Sequence, residues 1–346
     1  MRSFISLFAL TAAAAGVAWA QPAANQPAPA GQPGTAASTI DQNILLAQVL
    51  LSANGFSPGV IDGKSGQSMK LALRSFQEAR GLDQTGRIDS ATLAALGEGK
   101  REATVMVKLT PDDVRHQYVY PFPNNPERQA ELGFLGYRNM LEKVAERYHT
   151  TPKTIVALNG PEKLIGVGQT LRLPNVVPAS RDYEGVPGNG ANVMRILNVD
   201  GDQAKGDYVV VDKSEGSLKV YRGSTGEGAK GELIASFPVT TGSKRYPLPI
   251  GRWKATTYAF LPPFKYQPEI LNNPKTDKEL DLPPGPNGPV GVAWLDLTKE
   301  HYGIHGTNEP QTIGRAESSG CIRMTNWDVM RLARMMKPGF TAIFQA

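Results

Sequence analysis

The chain contains a single cysteine, Cys321, in 346 residues. A lone cysteine cannot form an internal disulfide, so packed hydrophobic cores rather than covalent cross-links must hold the fold together. The thiol is then buried and inert, paired with another molecule, or retained for its reactivity. Its surroundings favour reactivity, because Gly320 precedes it and His305 lies upstream in the segment IHGTN at 304–308.

The first 20 residues have the features of a secretory signal. Arg2 supplies a positive start, residues 4–15 are mostly apolar, and AWA at 18–20 fits the small-residue cleavage pattern. The apolar run is shorter than the roughly 20 residues that a membrane span needs. We therefore predict a signal peptide at 1–20, a periplasmic or exported protein, and no transmembrane segment after cleavage.

Charge and ligand patterns exclude several classes of function. The formal net charge is +5 at pH 7, which suits a weakly anionic polymer but makes no case for nucleic acid. His301, His305 and Cys321 lack a clear carboxylate partner for zinc, and Asp62 is not followed by the carboxylates of a calcium loop. We predict no metal and no cofactor.

Composition divides the chain into segments and indicates a multidomain α+β protein. We predict an uncharged Ala/Pro/Gln-rich linker at 21–38, a helical unit at 39–97, a connector at 98–135, an α+β module at 136–176, a linker at 177–204 and a strand-rich region at 205–346.

The helical unit at 39–97 contains three amphipathic stretches separated by glycine turns. Asn54 and Gly55 end the first helix, and Asp89 is placed to cap the last one. The unit resembles the three-helix peptidoglycan-binding domain, on the residues VIDG at 60–63, LRSFQ at 73–77, Gly81-Leu82 and Thr92-Leu93. The resemblance implies peptidoglycan as a partner and a protein that is associated with the cell wall.

The module at 136–176 contains two helices and a strand. Thr151 and Pro152 begin the second helix, and a strand follows at 170–174. The module resembles LysM, a family that binds N-acetylglucosamine polymers, on ALN at 157–159 and GQTLRLP at 168–174. The first strand of that family is not evident before Tyr137, so a structural module and a sugar-binding module both remain open.

The region at 205–346 alternates short β-branched or aromatic runs with turns. We predict strands at 208–212, 218–221, 234–240 and 252–259 and a helix from about 327 to 336. Residues 262–289 contain eight prolines, so this segment cannot be a central strand. Its length is typical of a loop that covers a site.

The strongest resemblance lies in the same region. IHGTN at 304–308, IG at 313–314, SSGCIRMTNWD at 318–328 and YPLPIGRW at 246–253 resemble the signature of the YkuD-type L,D-transpeptidases from about residue 207 to the C-terminus. Ser319 stands where many members carry a second histidine, which leaves His305 as the obvious base. The resemblance implies a mostly-β catalytic domain.

The resemblance also implies a cysteine-dependent acyl transfer on peptidoglycan stem peptides. Cys321 would attack the amide between the L-centre of the third residue, usually diaminopimelate, and D-Ala. His305, oriented by the Gly306 carbonyl, would move the protons. An acceptor amine would then resolve the thioester. Further candidates for substrate or oxyanion contacts are Gly320, Ser319, Arg323, Tyr246 and Trp253.

Three alternatives remain open at the level of sequence. The acceptor of a transpeptidase could be another stem, a free D-amino acid or a wall-anchored protein. Water as the acceptor would make the protein an L,D-carboxypeptidase or endopeptidase. A wall-binding protein with a degenerate catalytic domain is the third reading, and the presence of Cys321, His305 and Arg323 together speaks against it.

Overall fold

A computed structural model describes residues 40–97, 99–224, 231–271 and 274–346. The predicted signal peptide at 1–20 and the linker at 21–38 lie outside these residues. Within the described part of the chain, no helix combines the length and the apolar character needed to cross a membrane. Residues 38–346 form one compact unit.

Three helices form the N-terminal unit, as the sequence predicts. The Asp41 carboxylate accepts from the first amides of α1, and Asp89 Oδ1 accepts from the Thr92 N–H at 2.8 Å and so caps α3. Gly55, just after α1, has φ = +96°, a left-handed conformation that favours glycine. The helices are α1 (Gln42–Ala53), α2 (Gln67–Ala79) and α3 (Ser90–Leu96).

The next unit contains two strands and four helices, of which the first two helices are short. Its elements are β1 (Thr104–Lys108), α4 (Pro111–Val114), α5 (Pro126–Ala130), α6 (Met140–Arg147), α7 (Pro152–Asn159) and β2 (Thr170–Pro174). Strands β1 and β2 pair antiparallel, with Thr104 opposite Pro174. We call this the βααβ unit after β1, α6, α7 and β2. The predicted connector at 98–135 is therefore wrong in part, because it supplies β1.

The C-terminal unit is built on an eight-stranded, mostly antiparallel sheet of order β11-β10-β9-β6-β12-β3-β4-β5. Its elements are α8 (Gly190–Ile196), β3 (Tyr208–Asp212), β4 (Ser217–Arg222), β5 (Glu232–Pro238), β6 (Gly251–Phe260), β7 (Phe264–Tyr266), β8 (Leu280–Leu282), β9 (Ala293–Leu297), β10 (Gly303–His305), β11 (Ile322–Arg323), α9 (Asn326–Met335) and β12 (Thr341–Gln345). The predicted strands are thus confirmed with small shifts.

Strands β7 and β8 form a separate antiparallel hairpin outside the main sheet. This agrees with the expectation that the proline-rich segment at 262–289 is not a central strand. We call its described residues, 262–271 and 274–289, the proline-rich hairpin.

The main core lies between the sheet and α9, where Trp327 is 1% exposed. Residues 177–204 do not behave as the predicted linker. Tyr183, Val193, Leu197 and Val199 from this segment are buried in the same core, because α8 packs against the C-terminal unit. The segment is therefore an integral part of that unit.

The N-terminal helices pack on the outer strands of the sheet. Phe56 and Phe76 share a buried cluster with Tyr208, Tyr221 and Leu233 of β3, β4 and β5. Backbone hydrogen bonds join the two units where the Ser57 N–H donates to the Ser236 carbonyl at 2.8 Å. The helical unit is thus fixed to the sheet rather than tethered by a free linker.

Candidate active site

His305 ends β10 and is only 4% exposed. It lies between Trp294 on β9 and Arg323 on β11 in the sheet register. The Trp294 ring stacks on the imidazole with centroids 5.3 Å apart and an angle of 17° between the planes. Neighbouring strands therefore fix the plane of the ring.

The hydrogen bond of His305 determines its tautomer. Nδ1 lies 2.7 Å from the Gly306 carbonyl oxygen, which can only accept, so Nδ1 carries the proton. In the neutral ring the lone pair is consequently on Nε2. The imidazole is prepared to accept a proton at that nitrogen.

Cys321 lies immediately before β11 and is partly exposed. Ser318 shapes the turn before it, since its hydroxyl accepts from the Gly320 N–H at 3.1 Å and donates to the Cys321 carbonyl at 2.6 Å. The thiol donates to the His301 carbonyl with 3.6 Å between Sγ and O. These hydrogen bonds fix the backbone of the turn and, with it, the position of the sulfur.

Gly320 is required at its position for two reasons. Its φ of +107° is rarely adopted by other residues. A Cβ there would lie 2.7 Å from the Tyr302 ring, a residue that the sequence analysis did not single out. Because the Gly320 N–H already donates to Ser318, a role in an oxyanion hole would require that bond to open.

Burial keeps both reactive groups neutral. It lowers the pKa of His305 to about 3, with the positive Arg323 acting in the same direction and the Gly306 hydrogen bond opposing. Burial also raises the pKa of the Cys321 thiol, while a Gly303 backbone hydrogen bond and Arg323 lower it by less. The buried site therefore favours a neutral thiol and a neutral imidazole over a pair of thiolate and imidazolium.

Arg323 places a positive charge in this site. Its pKa is lowered by burial, and Cys321 and Glu309 oppose that shift. Among the described residues its Nε has no hydrogen-bond partner, and no carboxylate forms an ion pair with it. A partly buried guanidinium with free donor capacity can bind a carboxylate of a ligand.

One pocket of about 360 Å³ contains these groups. Its floor includes Cys321, His305, Arg323 and Ser319, and its outer wall is the proline-rich hairpin. Most of the wall is apolar, with Lys265 and Gln267 as its polar members, and Val290 lines the pocket just after the hairpin. The apolar residues of the wall are Pro262, Pro263, Phe264, Tyr266, Ile270, Leu271 and Pro289. The pocket therefore combines an apolar wall with a reactive, positively charged floor.

Four of the eight predicted site residues do not line this pocket, namely Gly306, Gly320, Tyr246 and Trp253. Tyr246 donates through its hydroxyl to the Glu269 carbonyl of the proline-rich hairpin at 3.0 Å. Trp253 donates to the Pro249 carbonyl at 2.8 Å and packs against the main core. The sequence analysis missed Trp294. Its neighbours Ala293 and Leu295 are buried, so Trp294 lies on the opposite face of β9.

In the described residues, no group of three or more His, Cys, Asp or Glu side chains is arranged to hold a metal ion. His301 lies at the pocket rim with φ = +65°, and its Nε2 is 3.6 Å from Glu300. Both side chains are exposed. These groups do not amount to a ligand set.

Comparison with known families matches two parts of the chain. Residues 206–344 match the family model described as "L,D-transpeptidase catalytic domain", of the YkuD type. Residues 41–96 match the model described as "Putative peptidoglycan binding domain". The first match contains the pocket and the second contains the three N-terminal helices.

Individual relatives match over shorter stretches. A Bacillus licheniformis protein named "Putative L,D-transpeptidase YkuD" is 59% identical over 56 residues, 16% of this chain and 34% of that protein. The chain thus spans about a third of its length. "Putative L,D-transpeptidase YqjB" of Bacillus subtilis is 29% identical over 137 residues, covering 38% of this chain and 67% of the relative.

A solved L,D-transpeptidase structure from Xylanimonas cellulosilytica aligns with 88% of this chain and 93% of its own, at 14% identity and a TM-score of 0.35. This structural match carries no weight, and the similarity of the chain to L,D-transpeptidases rests on the two family models and the sequence relatives.

Proposed function

We propose that the protein is an exported, periplasmic L,D-transpeptidase acting on peptidoglycan stem peptides, because residues 206–344 match the model of the L,D-transpeptidase catalytic domain and residues 41–96 match the model of a peptidoglycan-binding domain. The observation that carries the proposal is the pairing of a neutral His305, with its lone pair on Nε2, and the Cys321 thiol in one pocket. That pair is the minimum required for nucleophilic acyl transfer.

The first half-reaction would form a thioester. The thiol proton leaves the His301 carbonyl and passes to His305 Nε2, while Sγ attacks the carbonyl carbon of the third stem residue. The tetrahedral intermediate collapses as the C–N bond to D-Ala breaks. His305 returns its proton to the departing nitrogen, so D-Ala leaves with a neutral amine and the imidazole is restored.

The second half-reaction would reverse these proton movements. An acceptor amine attacks the thioester carbonyl, His305 Nε2 takes the amine proton, and the Cys321 sulfur leaves and is reprotonated. The acceptor can be another stem, a D-amino acid or an amine of a wall-anchored protein. Water in place of the amine would give hydrolysis by the same steps. The apolar wall of the pocket favours the reaction with the amine because it limits the access of water to the thioester.

Arg323 fits a substrate carboxylate in this scheme. Stem peptides end in carboxylates, and a partly buried guanidinium without an ion-pair partner among the described residues is complementary to them. Ser319 lines the same floor.

We also propose that the βααβ unit is LysM-like. The order β1, α6, α7, β2, with the outer strands paired antiparallel, supports this proposal, in which Thr104–Lys108 would serve as the first strand of the module. Leu164 and Val167, between α7 and β2, are 72% and 57% exposed and provide an apolar surface for a glycan.

The reaction is tested with purified muropeptides. The wild-type protein should release D-Ala from tetrapeptide stems and produce crosslinked dimers. Cys321→Ala should fall below about one-thousandth of the wild-type rate, because no other described group in the pocket floor replaces the nucleophile. Tripeptides without dimers would support the hydrolase alternative. Turnover by Cys321→Ala at the wild-type rate would overturn the mechanism.

A further inference from the structure

The proline-rich hairpin contacts a second unit of the protein besides the sheet. Residues 109–139 lie between β1 and α6, and we call them the insertion. They extend from the βααβ unit to the hairpin, where α5 of the insertion contacts β8. The insertion therefore reaches the outer wall of the catalytic pocket.

Apolar contacts join the two segments. Leu135 of the insertion is 0% exposed and shares a cluster with Tyr266 and Leu282 of the hairpin, which are 6% and 1% exposed. Phe122 and Leu132 of the insertion pack on the same cluster. This cluster is separate from the main core. The insertion thus buries hairpin side chains that the main core does not bury.

Backbone hydrogen bonds fix the position of Leu135. Its N–H donates to the Pro284 carbonyl at 2.8 Å, and its carbonyl accepts from the Asn287 N–H at 3.0 Å. The two chains approach so closely that a Cβ on Gly285 would lie 2.2 Å from the Leu135 oxygen. Only glycine permits this approach.

Glu127 adds a polar contact at the other end. One carboxylate oxygen accepts from the Thr276 hydroxyl at 2.9 Å, and the other lies 2.8 Å from the Lys278 ammonium. These bonds lower the pKa of Glu127, with the Lys278 hydrogen bond contributing most. The contact is partly exposed, so it can be removed without disturbing a core.

The same hairpin faces Cys321. Phe264 and Tyr266 line the catalytic pocket, and Tyr266 is also a member of the cluster with Leu135. One side chain thus connects the insertion to the pocket wall. From the sheet side, the Tyr246 hydroxyl holds the hairpin at Glu269.

We propose that the insertion is a positioning element of the catalytic site: Leu135 and Glu127 hold the proline-rich hairpin over Cys321 and so shape the pocket that receives the acyl donor. Neither residue touches the reacting atoms, so both are positioning residues. Access to Cys321 is a property of the pocket itself, and only the effect on donor binding rests on the proposed transpeptidase function.

The first test measures alkylation of Cys321 by iodoacetamide in the full-length protein. Leu135→Ala and Glu127→Ala should each increase the alkylation rate several-fold, because a released hairpin exposes the sulfur. Hydrogen exchange of the amides in residues 262–289 should increase in the same variants. Matched controls are Met106→Ala, at an apolar side chain 60% exposed on β1 of the same unit, and Glu131→Ala, beside α5 with a side chain 63% exposed.

The second test measures acyl transfer from a tetrapeptide donor. Both variants should raise KM by about tenfold with a smaller change in kcat, a split that general destabilisation would not produce. Gly285→Ala should behave in the same way, because its methyl group would force the hairpin away from Leu135.

The proposal is overturned if Leu135→Ala and Glu127→Ala match their controls in alkylation and exchange. If Leu135→Ala fails to fold, the comparison of Glu127→Ala with its control decides the outcome. If alkylation responds as expected but the wild-type protein releases no D-Ala, the positioning role stands and the proposed reaction fails.

Discussion

At the scale of residues, His305 and Cys321, the proposed catalytic pair, are both neutral before substrate arrives. Burial lowers the pKa of His305 to about 3 and raises the pKa of Cys321. The Gly306 carbonyl fixes the tautomer with the lone pair on Nε2. His305 can therefore act as a general base at neutral pH, whereas a preformed thiolate and imidazolium pair is disfavoured.

This arrangement predicts the pH dependence of acylation. A histidine with its ordinary pKa of about 6.5 would lose base activity as the pH falls through that value. With the pKa near 3, His305 stays unprotonated, so the acylation rate should be nearly constant from about pH 5 to 8. Intact-mass time courses of the Cys321 adduct with a carbapenem measure this rate.

The control is His305→Gln, which should slow acylation by about 10²–10⁴-fold across the whole range because the base is removed. An inflection near pH 6.5 in the wild-type protein would contradict a deeply depressed pKa.

At the scale of elements, α9 fixes β11, the strand that follows the proposed nucleophile Cys321. Thr325 precedes the helix, and its hydroxyl accepts from the Asp328 N–H at 3.1 Å. The adjacent Met324 N–H donates to the His305 carbonyl at 2.8 Å. The cap of α9 is therefore connected to β11 and to β10, the strand of His305, within a few residues.

Thr325→Val should weaken this element. The change keeps the shape of the side chain but removes the acceptor, so the free energy of unfolding should decrease by about 0.5–2 kcal/mol. Urea denaturation measures the decrease. Thr325→Ser retains the hydroxyl and should recover most of the loss, and equal destabilisation by Val and Ser would show that the methyl group matters more than the cap.

At the scale of the whole molecule, the units form one compact body instead of binding modules on flexible linkers. The Ser57 hydroxyl of the helical unit donates to the buried Asp328 carboxylate at 2.7 Å. Asn326 donates to Glu146 of the βααβ unit at 2.7 Å. Both contacts end on α9, so the helix next to Cys321 also joins the units.

Ser57→Ala tests this coupling. Removing the donor leaves a buried carboxylate with one fewer partner, so the free energy of unfolding should decrease by about 1–3 kcal/mol. Calorimetry should show one transition in both proteins, with a lower Tm in the variant. Ser65→Ala, at an exposed serine of the same unit, is the control. Two separate transitions in the wild-type protein would contradict a single cooperative body.

Much of the fold was predictable because its signals are local. The cap at Asp89, the turn at Gly55 and the strands at 208–212 and 252–259 depend on residues that are close in sequence. The pairing of Thr104–Lys108 with Thr170–Pro174 was missed because the insertion separates β1 from the helices that follow it. Tyr246 and Trp253 were placed at the pocket because aromatic side chains look alike in sequence, whether they line a site or support it.

The sequence by itself determined the chemistry: one thiol, one nearby imidazole and a glycine turn between defined strands, because covalent identity and local backbone preferences reside in the chain. Only the tertiary structure decided the protonation states of these groups and the shape of the pocket around them. Stacking of Trp294 on His305, the neutral state of the pair, and support of the pocket wall by Leu135 all depend on burial and on contacts between distant residues. Such contacts exist only once the three units have packed together.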